Sequence, residues 1–128
     1  MIIPCEIASR TIVPTVRAMI AKELSESYKM KQRDIARLLG ITQSAVSQYL
    51  GNIRGRTLNL EGVDKVGAIV KETAYILTTS STPKAVCQKC CEACMIIREK
   101  RLLCQFHARL DPSFNATSCD ICISTTCL

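Results

Sequence analysis

The chain has 128 residues, of which 48% are hydrophobic and 22% charged, and it carries a net charge of +6. This composition excludes a wholly disordered, collagen-like or coiled-coil chain, and the length leaves little room for a large catalytic core. Aromatic residues make up only 4%, Trp is absent, and there are five Gly and four Pro, which favours helices joined by short turns over a β-sandwich. We therefore expect a mainly α-helical protein that is not an enzyme.

Five helices are predicted in chain order. The first follows apolar residues at helical spacing, and the second and third are short and end at Gly40 and Gly51. A Ser- and Thr-containing linker at residues 80–82 precedes the fifth helix, and residues 111–118 are predicted as loop. The predicted helices span residues 14–27, 32–39, 42–50, 60–77 and 83 to about 104, which we group into two domains, 1–80 and 81–128.

The positive charge is concentrated in one segment. Residues 28–56 contain six basic and one acidic side chain, a net charge of +5, whereas residues 1–27 sum to zero, 57–82 to −1 and 83–128 to +2. A short basic block of this kind predicts a polyanionic partner.

The segment from Gln32 to Leu50 has the residue sizes that a helix-turn-helix needs at fixed offsets. Ala36 is small where two helices would cross, and Gly40, four residues later, supplies a left-handed turn. Ile35 and Val46, with Leu39 and Ile41, would fill the wedge between the helices, and Thr42 would cap the third helix. The opposite face of that helix then carries short polar groups able to reach base edges in the major groove, namely Gln43, Ser44, Ser47 and Gln48.

At these positions the sequence resembles the lambda-repressor-like (XRE-type) helix-turn-helix family. The family pattern of Gln, Ala, Gly, Thr-Gln and Val-Ser is matched in register by Gln32, Ala36, Gly40, Thr42, Gln43, Val46 and Ser47. The resemblance implies that Gln32 contacts a phosphate and steadies Gln43. It implies double-stranded operator DNA as the partner, and we expect the surrounding basic residues to engage its phosphates: Lys29, Lys31, Arg33, Arg37, Arg54 and Arg56.

A second resemblance extends over most of the chain. Pro4-Cys5-Glu6, residues 17–21, and Cys91-x-x-Cys94 followed by Cys104-x-x-His107 are similar to a group of small archaeal transcriptional regulators. Those regulators place the same helix-turn-helix before a Cys-rich C-terminal segment. The additional Cys87, Cys90 and Cys127 depart from that pattern.

Cysteine is concentrated at the C-terminal end, where residues 87–128 contain eight of the nine. No long apolar segment and no secretory leader are predicted, so we expect a cytoplasmic protein with no membrane partner, in which clustered Cys bind metal or do redox work. Paired spacings, as in Cys-x-x-Cys, let two thiolates bind one metal ion. The candidate ligands are Cys91, Cys94, Cys104, Cys119, Cys122 and His107.

Three alternatives remain for these thiols. A [4Fe–4S] cluster would take three or four Cys, and the surplus thiols favour it. Zinc would select four ligands, for example Cys91, Cys94, Cys104 and His107 or the two Cys-x-x-Cys pairs. The third alternative is disulfide formation or thiol switching without a metal. For Cys87 and Cys90, a place in the core is favoured over binding a metal.

We therefore expect a homodimeric DNA-binding transcriptional regulator whose Cys-rich segment holds an iron–sulfur cluster and senses redox or iron status. The alternatives are a DNA-binding protein with a structural zinc site, and a small iron–sulfur electron-transfer or cluster-carrier protein. Two recognition helices one DNA turn apart, about 34 Å, would supply the interface that a single helix lacks. No small-molecule substrate is expected.

Overall fold

The computed structural model describes residues 2–52, 58, 60, 63–79, 83–113 and 119–124, and within these residues the backbone forms eight α-helices and no strand. The prediction of a mainly helical protein is confirmed. No helix in this part of the chain has both the length and the apolarity needed to cross a membrane. The helices are α1 (Pro4–Arg10), α2 (Ile12–Glu26), α3 (Gln32–Leu39), α4 (Gln43–Leu50), α5 (Asp64–Thr79), α6 (Pro83–Glu99), α7 (Cys104–Leu110) and α8 (Ile121–Ser124).

The N-terminal helices α1 and α2 replace the single helix predicted for residues 14–27. Pro4 begins α1, where its missing N–H leaves no intrahelical bond unmade. Thr11 separates the two helices, and its buried hydroxyl donates a hydrogen bond of 2.7 Å to the carbonyl oxygen of Ile7. The sequence did not predict α1 because seven residues are too few to show a clear helical period.

Helices α3 and α4 lie where the sequence predicted them, joined by a tight turn at Gly40. Gly40 has φ 67° and ψ 33°, in the left-handed region. The N–H of Ile41 donates to the carbonyl of Ala36 at 3.1 Å, and the N–H of Gly40 donates to that of Arg37 at 3.4 Å. This pair of bonds is the Schellman motif, which ends a helix and fixes the direction of the chain that follows. The turn therefore sets the angle at which α4 leaves α3.

The bounds of the later helices differ from the prediction. Helix α5 begins at Asp64 and not at residue 60. Helix α6 ends at Glu99, short of residue 104. Arg101 has φ 59°, and the N–H of Leu102 donates to the carbonyl of Ile97 at 3.2 Å, so the same type of left-handed turn ends α6 and frees Cys104 to begin α7. Arg is an uncommon residue at a positive φ, which is why no sequence signal predicted this stop.

The central helix of the fold is α2, which packs against α1, α3, α4, α5 and α6. Its residues Ile20, Ala21 and Leu24 are 1%, 0% and 0% exposed. Helix α6 contributes Ala93 and Ile97 to the same core. The predicted boundary between 1–80 and 81–128 therefore falls between two helices, α5 and α6, that pack against each other.

An ion pair joins α5 to α6 at the surface. The Lys89 Nζ atom lies 2.7 Å from a carboxylate oxygen of Glu72. The hydrogen bond to Glu72 is the main reason that the pKa of Lys89 is raised above its ordinary value. Because Glu72 is exposed and Lys89 is half-buried at the surface, the pair adds little to stability.

Two glycines with open space around their Cα atoms give opposite predictions. Replacing Gly40 by Ala should lower the free energy of unfolding by about 1–2 kcal/mol, because an L side chain is strained in the left-handed region, although no atom lies within 4 Å of the added Cβ. Replacing Gly67, inside α5 and equally open, should raise it by about 0.5–1 kcal/mol. Urea unfolding followed by circular dichroism measures both, and equal effects would contradict the turn geometry.

Candidate nucleic-acid interface and cysteine clusters

Helix α4 separates the predicted base-reading residues from the core. Val46 and Tyr49 point inward and are 0% and 2% exposed, whereas Gln43, Ser44 and Ser47 are exposed and Gln48 is half-buried. The alternation follows from helical spacing, which places residues three or four apart on one face. The outward face of α4 is therefore polar, uncharged and open to a partner.

The N-terminus of α4 is held by its cap. The Thr42 hydroxyl accepts a hydrogen bond of 3.1 Å from the backbone N–H of Ala45, which satisfies one of the helix's unpaired donors. The capping role predicted for Thr42 is confirmed. Gln32 and Gln43 are the first residues of α3 and α4. No hydrogen bond described for these two residues joins one side-chain amide to the other.

Exposed basic side chains surround the start of α3. Lys31 is exposed, and Asp34 lies between two arginines, 4.0 Å from Arg33 and 3.1 Å from Arg37. The arginine side chains remain 76% and 78% exposed, so these ion pairs are weak and leave the guanidinium groups accessible. Two predicted phosphate contacts, Arg54 and Arg56, lie outside the described residues.

Two polar residues near the C-terminal end of α4 were not among the predicted site residues. Lys22 of α2 donates a hydrogen bond to the side-chain oxygen of Asn52, which follows α4. Asn52 has φ 58°, a conformation that Asn tolerates better than most residues. The pair ties the end of α4 to α2. The Asn that follows Gly51 was the available signal, since both residue types are frequent after helix ends.

The six predicted metal ligands are divided between two cavities. Cys104, His107, Cys119 and Cys122 line one cavity, next to α1. Cys91 and Cys94 line another, between α2, α3 and α6. The structure therefore brings four of the six together and places the α6 pair elsewhere.

The first of these, the tail cavity, is small and bordered by two short segments. Its volume is about 10 Å³. Helix α7 supplies Cys104 and His107, three residues apart and therefore on one face, and the segment 119–122 supplies two more thiols. His107 is 6% exposed. A guanidinium N–H of Arg101 donates to the carbonyl oxygen of Cys119 at 2.9 Å, which holds the second segment beside α7.

The second, the α6 cavity, is larger and mainly apolar. Its volume is about 390 Å³, and Cys87, Cys90, Cys91 and Cys94 line its α6 side. The sequence favoured a place in the core for Cys87 and Cys90. Cys90 is half-buried and packs against the core, whereas Cys87 is exposed. Burial is the main reason that the pKa of Cys90 is raised above its ordinary value, with smaller contributions from the neighbouring thiols Cys87 and Cys91. Burial therefore disfavours the thiolate form of Cys90.

The thiols of neither cavity are arranged as a ready metal site. Among the described residues, no group of three or more His, Cys, Asp or Glu side chains is arranged as a metal site. The tail cavity has the donor chemistry of one, because three thiols and an imidazole are the ligands that zinc takes in structural sites. A metal there would need the Cys119–Cys122 segment and α7 to move together. Cys127 lies outside the described residues.

The chain matches no known family model, no curated protein and no solved structure. The resemblance to the XRE-type helix-turn-helix therefore stays a prediction, which depends on the residues of α3, α4 and the turn between them. Those residues are the ones whose local geometry is described above.

Proposed function

We propose that this protein is a sequence-specific DNA-binding transcriptional regulator, in which α3 and α4 form a helix-turn-helix and α4 is the recognition helix. The observation that carries the proposal is the outward face of α4. Gln43, Ser44 and Ser47 are exposed there, while the Gly40 turn and the Thr42 cap fix the helix that presents them. Gln, like Asn, can pair with adenine through two hydrogen bonds in the major groove.

The charge around α4 supports the same partner. Phosphate contacts supply most of the affinity of a DNA-binding protein, and lysine and arginine make them. Lys31, Arg33 and Arg37 are exposed near the start of α3. An electron-transfer or cluster-carrier protein has no need of a polar, uncharged helix face beside a basic surface, so the electron-transfer alternative gains no support.

We propose a two-fold dimer as the DNA-binding form. A helix of eight residues is too small an interface for useful operator affinity, and dimers of helix-turn-helix proteins place two such helices in successive major grooves. Helix α5 offers a surface for the second copy, because Tyr75 is 60% exposed on it. Large exposed aromatic side chains are typical of the centre of an interface.

We propose that the tail cavity holds a metal through Cys104, His107, Cys119 and Cys122. Of the two groups considered, an iron–sulfur cluster and zinc, the donor set of this cavity suits zinc, because three thiols and one imidazole are ligands that zinc takes in structural sites. A [4Fe–4S] cluster would use three or four Cys thiolates, and this cavity offers three. Bound zinc would supply folding free energy to this part of the chain.

Removing the amide of Gln43 should lower affinity for the cognate operator and leave non-specific binding intact. We expect Gln43→Ala to lose about 1–3 kcal/mol for each good base contact. Gln88→Ala removes the same group from the exposed face of α6 and serves as the matched control. Affinity is measured on cognate and scrambled duplexes at one salt concentration. Equal operator affinity for Gln43→Ala and the control would remove α4 from the recognition role.

A charge on α5 should weaken the dimer. Tyr75→Lys places an ammonium group in the proposed interface, and we expect sedimentation at micromolar concentration to show a shift from dimer to monomer. Tyr28→Lys, at a side chain that is 38% exposed at the end of α2, is the control. A wild-type protein that stays monomeric on its footprinted operator would overturn the dimer.

Metal analysis should find one zinc ion per chain in a colourless protein. Cys119→Ser with Cys122→Ser should lose the ion and loosen α7 and α8 while α3 and α4 stay folded, as hydrogen exchange would show. Cys91→Ser, in the other cavity, should keep the ion. A brown protein with broad absorption near about 400 nm, bleached by air, would identify an iron–sulfur cluster instead, and loss of metal in Cys91→Ser would contradict the proposed ligand set.

A further inference from the structure

The α6 cavity has the size and lining of a small-molecule site. Its volume of about 390 Å³ lies within the range of about 300–1,000 Å³ that is usual for such sites. Val16 and Ile20 of α2 and Leu38 and Leu39 of α3 form apolar walls, and the four α6 thiols form the opposite wall. The zinc proposed for the tail cavity uses none of these residues.

The lining defines the chemistry of an occupant. The apolar walls favour a hydrophobic ligand. The thiols favour a ligand with an electrophilic carbon, because thiolates are nucleophiles. Arg17 is the positively charged residue among the described residues that line the cavity. Its guanidinium can donate hydrogen bonds to an oxygen atom of a ligand. A flat apolar ring with conjugated carbonyl groups satisfies all three requirements.

We propose that the α6 cavity binds a quinone and that an exposed α6 thiol, Cys87 or Cys91, captures it covalently. The thiol sulfur forms a bond to the ring carbon that is conjugated with a carbonyl. The electron pair of the ring double bond moves to the carbonyl oxygen, which takes the proton released by the thiol. A proton shift from the attacked carbon to the second oxygen then gives a hydroquinone thioether, so no further oxidant or reductant is needed.

Arg17 has a positioning role in this step. Negative charge develops on the carbonyl oxygen as the carbon–sulfur bond forms, and a guanidinium on the cavity wall stabilises it. Cys87 and Cys91 are the exposed thiols of the set, whereas Cys90 and Cys94 are half-buried. The exposed pair therefore supplies the nucleophile.

A ligand in the cavity would change the geometry of the proposed DNA-binding helices through α3. Leu38 and Leu39 are the last residues of α3, and the next residue, Gly40, makes the turn that aims α4. A bound ring that displaces these leucines would tilt α3 relative to α4. This coupling rests on the proposed function, whereas quinone capture does not.

The test uses the full chain with its metal and the para isomer of naphthoquinone as the probe. Intact-mass and peptide mapping should find the adduct on Cys87 or Cys91 at least tenfold faster than on Cys5, which is an exposed thiol outside the cavity and serves as an internal control. The α6 rate should saturate with quinone concentration. Naphthalene, which fits the cavity but cannot react, should slow the α6 adduct and leave Cys5 unchanged.

Two variants separate binding from reactivity. Val86→Phe narrows the cavity without removing a thiol and should weaken saturable binding, and Arg17→Met should lower the maximal rate at α6 but not at Cys5. An α6 rate that is linear in quinone and indifferent to naphthalene would overturn the proposal without any variant. Operator affinity of the adduct is measured separately: a tenfold or greater loss supports the coupling, and an unchanged affinity restricts the proposal to capture alone.

Discussion

The burial of α2 is the constraint on which the rest of the structure depends. Its inner residues are completely enclosed because five other helices pack around it. Each fully buried aliphatic side chain contributes about 1.5–3 kcal/mol relative to exposure, so a small domain of this length depends heavily on one such helix. Contacts with α2 position the α3–α4 pair, α5 and α6. The same contacts therefore determine where the outward face of α4, the proposed dimer surface and the α6 cavity lie.

The α6 cavity is a consequence of the same arrangement. Helix α6 packs against α5 and α2 through Ala93 and Ile97, and its cysteines face the space that remains between α2 and the end of α3. A cysteine side chain is short, so four of them leave more space than leucines at the same positions would. The small size of the thiols therefore contributes to the opening that they line.

The sequence predicted the parts of the fold that local signals determine. Gly40 and Thr42 act through the backbone of their own turn, so the bounds of α3 and α4 followed from residue type alone. The end of α6 did not, because Arg101 adopts a left-handed conformation that its residue type does not favour. The division of the cysteines between two cavities depends on where α6 ends and on how α7 packs against α1, and no spacing rule contains that information. Cys91-x-x-Cys94 and Cys104-x-x-His107 look equivalent as motifs, yet they line different cavities.

The backbone and the side chain of Arg101 place conflicting requirements on the residue at this position. Its backbone is left-handed, at a φ of 59°, which costs an L residue about 1–2 kcal/mol, and glycine would relieve that strain. Glycine has no side chain, however, and would lose the hydrogen bond to the carbonyl of Cys119. Asparagine suits the backbone but is too short to replace the guanidinium. Glycine and asparagine at this position would therefore each relax the turn and give up the tether that holds the 119–122 segment.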